Sequence, residues 1–345
     1  MGSLPADAKL PWVRTPCVLS PEISRIAGCN VYLKLDNLQP SGSFKSRGIG
    51  NLMTRAAAAS SSTPHFYCSS GGNAGLACAT AALSLSCPAT IVLPTSSPAL
   101  MKNKLLALGV EVQIHGSMWS EADRYLREEL MPKDKNGVYV PPFDHQQIWD
   151  GASSIVTELR EQIDGPIHGI VCSVGGGGLV NGIMQGIESQ SWSGPKPHVL
   201  AVETIGADAL NASVRAGEHV SIPGITSIAK SLGAARVSAQ TWRWAERGLA
   251  GEVSMKSIVV SDADAAMSAV RFADDARLLV EVSCGATLAV AYKGDLREHF
   301  GQGCSDDEWK TRNIVLEVCG GAGVTLELLA GYAEAYGKEA SVKLA

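Results

Sequence analysis

Lys45 stands in "PSGSFKSRG" (Pro40–Gly48), where small residues leave room around its amine and Phe44 adds one aromatic face. An amine acts as a nucleophile or base only when neutral, and crowded or apolar surroundings favour that form. Taken alone, the segment reads more readily as a lysine snorkelling from a helix start. Two glycine turns elsewhere change the balance. "CSVGGGGLVNGI" (Cys172–Ile183) passes from a strand through Gly175, Gly176, Gly177 and Gly178 into a helix beginning at Leu179. Unhindered backbone N–H groups at a helix N-terminus bind phosphate. The run is not the dinucleotide fingerprint, because the sixth residue counted from Gly175 is Val180 and from Gly176 is Asn181. No Gly-Lys-Ser/Thr follows either, so it is not a nucleoside-triphosphate loop. A mere tight turn does not call for consecutive glycines at such an entropic cost, so a monophosphate cradle is the better reading.

"SSGGNAGLA" (Ser69–Ala77) repeats the strand–turn–helix arrangement with polar side chains. Ser70, Gly71, Gly72 and Asn73 suit a carboxylate and a ring hydroxyl, although an ordinary helix cap looks the same. One ligand accounts for all three features. Pyridoxal phosphate carries a phosphate, a ring hydroxyl and an aldehyde that condenses with a lysine amine. A fourth stretch, "NIVLEVCGGAGVT" (Asn313–Thr325), delivers Cys319 to another glycine turn. A neutral thiol at the ring nitrogen is a weak donor and cannot keep that nitrogen protonated as a carboxylate would. That favours rapid loss of a β-substituent over transamination. A buried core thiol is the commoner role for a single cysteine. Glu203 ends the apolar strand "HVLAVE", where an unpaired carboxylate would be costly. It either binds a cation with backbone carbonyls or caps a neighbouring element. The seven histidines show no H-E-x-x-H and no metal spacing, and G-x-S-x-G is missing. The acid pairs Asp274–Asp275 and Glu128–Glu129 read as solvated helix faces.

These turns need elements to hold them. Apolar strands alternate with helices along the chain: "NVYLKL", "HFYCSS" before an Ala-rich helix, and "ATIVLP" before "SPALMKNKLLALG". In the last of these, Ser97 is the expected N-cap and Gly109 the stop. "VEVQIHG" then precedes the amphipathic "SMWSEADRYLREEL". A second series begins with a helix over 148–163 and contains "HGIVCSV", the glycine loop and "HVLAVETI". The pattern predicts parallel sheets covered on both faces, in two doubly wound α/β domains with a ligand cleft between them. The expected boundaries are 1–38 with 147–345 for the large domain and 39–146 for the small one.

Composition bounds the function classes. The chain has 345 residues, 46% hydrophobic, with 36 glycines and a net charge of −5. A phosphate backbone needs a concentrated positive surface, so nucleic acid is not an expected partner. No run reaches the length of a membrane span, and "MGSLPADAKLPW" has no apolar core like that of a signal peptide. The nine cysteines include no C-x-x-C pair and read as reduced thiols of a cytoplasmic protein.

Taken in order, "PSGSFKSRG", "SSGGNAGLA", "VGGGGL" and "CGGAG" resemble the fold-type II pyridoxal-phosphate-dependent enzymes of the tryptophan synthase β group. "PFDHQQIWDGASSIVTEL", "AVETIGADALNAS", "GITSIAKSLG" and "VSCGATLAVAY" narrow the likeness to the short eukaryotic L-serine dehydratase/L-threonine deaminase subfamily. The resemblance spans nearly the whole chain. It implies that Lys45 holds the cofactor covalently, Phe44 lies against its ring, Asn73 bonds the ring hydroxyl, and Gly175–Leu179 hold the phosphate. It sets Cys319 at the ring nitrogen and gives the substrate carboxylate to Ser70–Asn73. It also implies a monovalent cation such as K+ at Glu203, with main-chain oxygens near Gly175, Ala207, Ser231, Leu232 and Ala234. A homodimer acting on small amino acids, in amino-acid metabolism and gluconeogenesis, comes with it. Serine racemases and β-replacement synthases of the same fold commonly carry a serine at the ring nitrogen and His or Thr after the asparagine, where this chain has Cys319 and Ala74. Two positions depart from the dehydratase pattern. Ala322-Gly323 replaces a frequent Ser-Asn, and position 71, which varies among relatives, is glycine.

Overall fold

The computed structural model describes residues 8–344. The first part of the N-terminal stretch discussed above therefore lies outside the described residues. Ten strands occur among them: β1 (Cys17–Leu19), β2 (Asn30–Lys34), β3 (His65–Cys68), β4 (Ala89–Leu93), β5 (Glu111–Ile114), β6 (Gly137–Tyr139), β7 (Gly169–Ser173), β8 (His198–Thr204), β9 (Met255–Val260) and β10 (Asn313–Glu317). They form a four-stranded sheet, β5-β4-β3-β6, and a six-stranded sheet, β1-β2-β10-β7-β8-β9. Pairing is parallel except for the edge pair β1–β2. Strands β4, β7 and β10 are buried along their whole length, as parallel strands covered by helices must be.

The chain divides into two compact units. One comprises the described residues through Arg14 with Leu38–Ala152; the other comprises Thr15–Asn37 with the described residues from Ser153 onward. Residues through Arg14 group with the smaller unit, not with the larger one where the sequence reading places residues 1–38. The cause is local packing. Pro11 and Trp12 fill the space that Gly50 leaves open. Thr54 Oγ1 donates to the Lys9 carbonyl at 3.1 Å, and the Gln39 amide pairs with both backbone groups of Val13. The division after Ala152 falls inside the helix Gln146–Gln162, not in the "PPFDHQQ" stretch before it.

Within the smaller unit, Tyr67, Val92, Ala122 and Leu126 form a core cluster under the sheet. Helix Ala99–Ala107 has Pro98 at its N-cap position, and Ser97 does not cap it. Proline's fixed φ suits a helix entrance and displaces the cap by one residue. Of the acid pairs, Asp274, Glu128 and Glu129 are exposed as expected. Asp275 is not: its side chain is 13% exposed and pairs with Arg271 at 3.4 Å, one helical turn away.

Each sheet reverses its strand order at one point. In the smaller sheet β3 and β6 flank the reversal; in the larger, β7 and β10 do. Open parallel sheets bind ligands outside the carboxyl ends of the strands at such points. No helix among the described residues is long and apolar enough to cross a membrane.

The larger unit also encloses an ion pair. Lys34, on β2, has no exposed surface, and its Nζ donates to Glu158 Oε2 at 2.5 Å. It donates as well to the Thr15 carbonyl and to Gln162 Oε1, each at 2.8 Å. Removing one member of a buried pair strands the other charge in a low-dielectric interior. Glu158→Ala is expected to cost about 3–5 kcal/mol of stability in urea unfolding, whereas the double variant Lys34→Met/Glu158→Leu recovers most of that loss.

Candidate active site

In the smaller unit, Lys45 is the first residue of helix Lys45–Ala59, with Phe44 at the N-cap. A lysine there faces the positive end of the helix dipole, an unfavourable place for an ammonium. Its half-buried Nζ donates to the main-chain oxygen of Pro142, which follows β6. The amine lies 5.3 Å from the centre of the Phe44 ring and 6.0 Å from that of Phe143. Asn73 likewise opens helix Asn73–Leu85, whose N-cap is Gly72. The Gly72 N–H donates to Ser70 Oγ at 3.2 Å, closing the turn. The Ser70 carbonyl occupies the space a side chain at Gly75 would need, so the helix starts hard against the turn. A side chain at position 71 would overlap the Ser97 hydroxyl, which explains the glycine there. Helices Lys45–Ala59 and Asn73–Leu85 pack on each other. Phe44, Lys45 and Ser70–Asn73 are thus gathered at the strand-order reversal, where the loops after β3 and β6 emerge.

That turn is tied down from below. Ser69 Oγ donates to Asp123 Oδ1 at 2.7 Å, and the Tyr139 hydroxyl donates to the same oxygen at 2.6 Å. Burial and this bond push the Tyr139 hydroxyl above its ordinary pKa, so it remains a donor. Nothing in the local sequence around Asp123 marks this role, since its partners come from β6 and from the end of β3.

In the larger unit, the loop Gly175–Gly178 leaves β7 and enters helix Gly178–Ser189, of which Leu179 is the second residue. Cys319 follows β10, the parallel neighbour of β7, and its Sγ lies 3.4 Å from Ser173 Oγ. The glycine loop and Cys319 therefore stand side by side at the second reversal. The hydrogen bond between Cys319 and Cys284, together with burial, pushes the Cys319 thiol well above its ordinary pKa, so it is neutral. The turn after it is clasped by Glu281. Oε1 accepts from the Gly323 N–H at 2.7 Å, and Oε2 accepts from Ser231 Oγ at 2.5 Å. Gly321 has φ +112°, and a side chain there would collide with the Glu281 carboxylate. Main-chain atoms of Ser231 and Leu232 also pack against Gly175.

Glu203, at the end of β8, is 1% exposed. Its two oxygens accept the Leu210 and Asn211 N–H groups at 2.9 and 2.7 Å. It caps helix Ala209–Ala216, the second of the two roles open to it from the sequence. Burial pushes its carboxyl up to about 8, and the two backbone bonds draw it down. Ala207 pairs back on Thr204 beside it, and Ala234 donates to the Leu232 carbonyl at 2.8 Å.

The residues present fit pyridoxal phosphate. Gly177 has φ +102°, and a side chain there would fall on Thr241, so the loop's backbone is bare at a helix N-terminus. In the smaller unit a half-buried lysine amine near two aromatic rings suits the cofactor's aldehyde, and in the larger unit a neutral thiol stands beside the glycine loop. Asp123→Ala is expected to strand the Ser69 and Tyr139 hydroxyls at a cost of about 1–3 kcal/mol in urea unfolding. Adding Ser69→Ala and Tyr139→Phe should recover part of it, because no unpaired donor then remains.

Comparison with known proteins agrees with this geometry. Residues 9–320 match the family model described as pyridoxal-phosphate dependent enzyme. The human L-serine dehydratase/L-threonine deaminase is 42% identical over 94% of this chain and 95% of its own. The crystal structure of the L-serine ammonia-lyase of the fungus Rhizomucor miehei superposes with a TM-score of 0.85 at 36% identity, over 94% of this chain and 99% of that one. Maize serine racemase superposes with a TM-score of 0.76 at 25% identity, over 94% and 92%. Two parallel α/β units, a lysine at one reversal and a glycine cradle at the other accord with that match: the chain belongs to the pyridoxal-phosphate dependent enzyme family.

Proposed function

We propose that this protein is a pyridoxal-phosphate-dependent ammonia-lyase that converts L-serine to pyruvate and ammonia, and L-threonine to 2-oxobutanoate and ammonia. The observation that carries the reading is the setting of Lys45: an amine at a helix start, within about 6 Å of the Phe44 and Phe143 ring centres, at a strand-order reversal. The similarity to relatives named for this reaction supports it.

The cofactor supplies an electron sink for cleavage of bonds at the substrate's α-carbon. This chain's residues divide the remaining work. Gly175–Leu179 hold the phosphate through backbone N–H groups, Phe44 covers the ring, and Asn73 bonds its hydroxyl. The Ser70–Asn73 turn binds the substrate carboxylate and so fixes which face of the α-carbon is presented. Lys45 Nζ takes the α-proton as general base and returns a proton as the β-hydroxyl departs as water; the released 2-aminoacrylate then takes up one water and loses ammonia to give the 2-oxo acid. The neutral Cys319 thiol leaves the ring nitrogen without a strong proton donor. That favours elimination over reactions that need a long-lived carbanion, such as transamination. The reading extends to a cytoplasmic homodimer in amino-acid breakdown feeding gluconeogenesis, supported by the subfamily resemblance.

Lys45→Ala is expected to lower 2-oxo-acid release from L-serine by about 100-fold or more, and to remove the visible absorption band of the loaded protein. A panel of L- and D-serine, L-threonine and L-cysteine checks the class. Racemised serine without pyruvate would replace the lyase by a racemase, and cofactor uptake with no turnover would leave a binding protein. The main-chain oxygens near Gly175, Ala207, Ser231, Leu232 and Ala234, beside Glu203, are assigned to a monovalent cation. Activity is accordingly expected to be higher in K+ than in Li+ at equal ionic strength.

A further inference from the structure

Three buried polar side chains lie beneath the glycine loop. Asn181 is on the first turn of helix Gly178–Ser189; Ser238 is the N-cap of helix Ala239–Leu249, and Thr241 is on that helix's first turn. They are 1%, 3% and 0% exposed. Asn181 Nδ2 donates to Ser238 Oγ at 2.9 Å, and Thr241 Oγ1 donates to Asn181 Oδ1 at 2.9 Å. The two hydroxyls are also 2.9 Å apart. Because the Thr241 proton is committed to Asn181, the Ser238 proton must point to Thr241. The protons therefore run one way round a closed ring, and Ser238 Oγ also accepts the Thr241 N–H at 3.2 Å as the helix cap. Such rings polarise their own members and are worth more than separate bonds.

The ring is joined to the loop at two points. The Ser238 N–H donates to the Gly176 carbonyl at 2.9 Å, which turns that peptide downward. The Thr241 hydroxyl fills the space where Gly177 would carry a side chain, directly under a residue at φ +102°. Four consecutive glycines have the largest backbone entropy of any such segment, and a ligand that ordered them would forfeit affinity. A rigid polar ring beneath them removes that loss in advance.

We propose that Asn181, Ser238 and Thr241 are positioning residues that pre-order the glycine loop and so set the protein's affinity for the phosphate end of its cofactor. The proposal rests on the reading that Gly175–Leu179 take the phosphate. The test uses the full chain, freed of cofactor by dialysis, and titrates it with pyridoxal phosphate and with pyridoxal, which lacks the phosphate. Thr241→Val keeps the volume and removes the ring's hydroxyl. It is expected to weaken pyridoxal phosphate binding by about tenfold or more and to leave pyridoxal binding unchanged, with Thr241→Ser restoring the wild-type preference. An unchanged ratio of the two affinities in Thr241→Val would overturn the proposal. A wild-type protein that binds both forms equally would instead overturn the phosphate reading of the loop. Should Thr241→Val fail to fold, Ser238→Ala, which removes a single oxygen, takes its place with the same two outcomes.

Discussion

Backbone amides can serve a ligand only where no side chain stands between them and it, and this requirement shapes both units. The turns that follow β3, β7 and β10 are glycine-rich because neighbouring groups already occupy the places where side chains would go. The Ser70 carbonyl does so at Gly75, Ser97 at Gly71, Thr241 at Gly177 and the Glu281 carboxylate at Gly321. Each turn is thus bare on one side because it is crowded on the other. Crowding from beneath makes these loops rigid as well as open, which glycine alone would not do.

Much of this was readable in the chain. Glycine turns bounded by an apolar strand and a helix start are local patterns, and β3, β4, β7, β8 and β10 each emerged from runs of apolar residues. Lys45 could be weighed only together with those turns, because its own neighbours are equally those of a surface lysine. What could not be read depends on partners distant in sequence. Asn181 meets Ser238, and Asp123 meets Ser69 and Tyr139, with no shared local pattern to announce either contact. The assignment of residues 8–14 turned on Trp12 meeting a gap at Gly50, which no periodicity encodes. Ser97 looked like a helix cap by type, but the proline after it took that position, and the serine packs against Gly71 instead.

Charge is handled by pairing in the interior and by neutrality at the site. Lys34 and Glu158 remain in the interior of the larger unit with each other and with neutral oxygens around them. Glu203 spends both oxygens on the N–H groups of a helix N-terminus. Cys319, in contrast, is held as a thiol by Cys284 and by burial. A turn that offered a thiolate or a carboxylate there would alter the electronics of whatever ring lay against it.

The contact between Gly177 and Thr241 also constrains how such a sequence can drift. Position 177 is barred to other residues twice, by the hydroxyl beneath it and by a backbone angle that L-residues rarely adopt. Position 241 needs a hydroxyl for the ring, so serine can stand there and the ring survives. Shrinking residue 241 would not free position 177, because the angle remains. The threonine can therefore give way to serine around a fixed glycine, while no change at position 241 opens position 177 to a side chain.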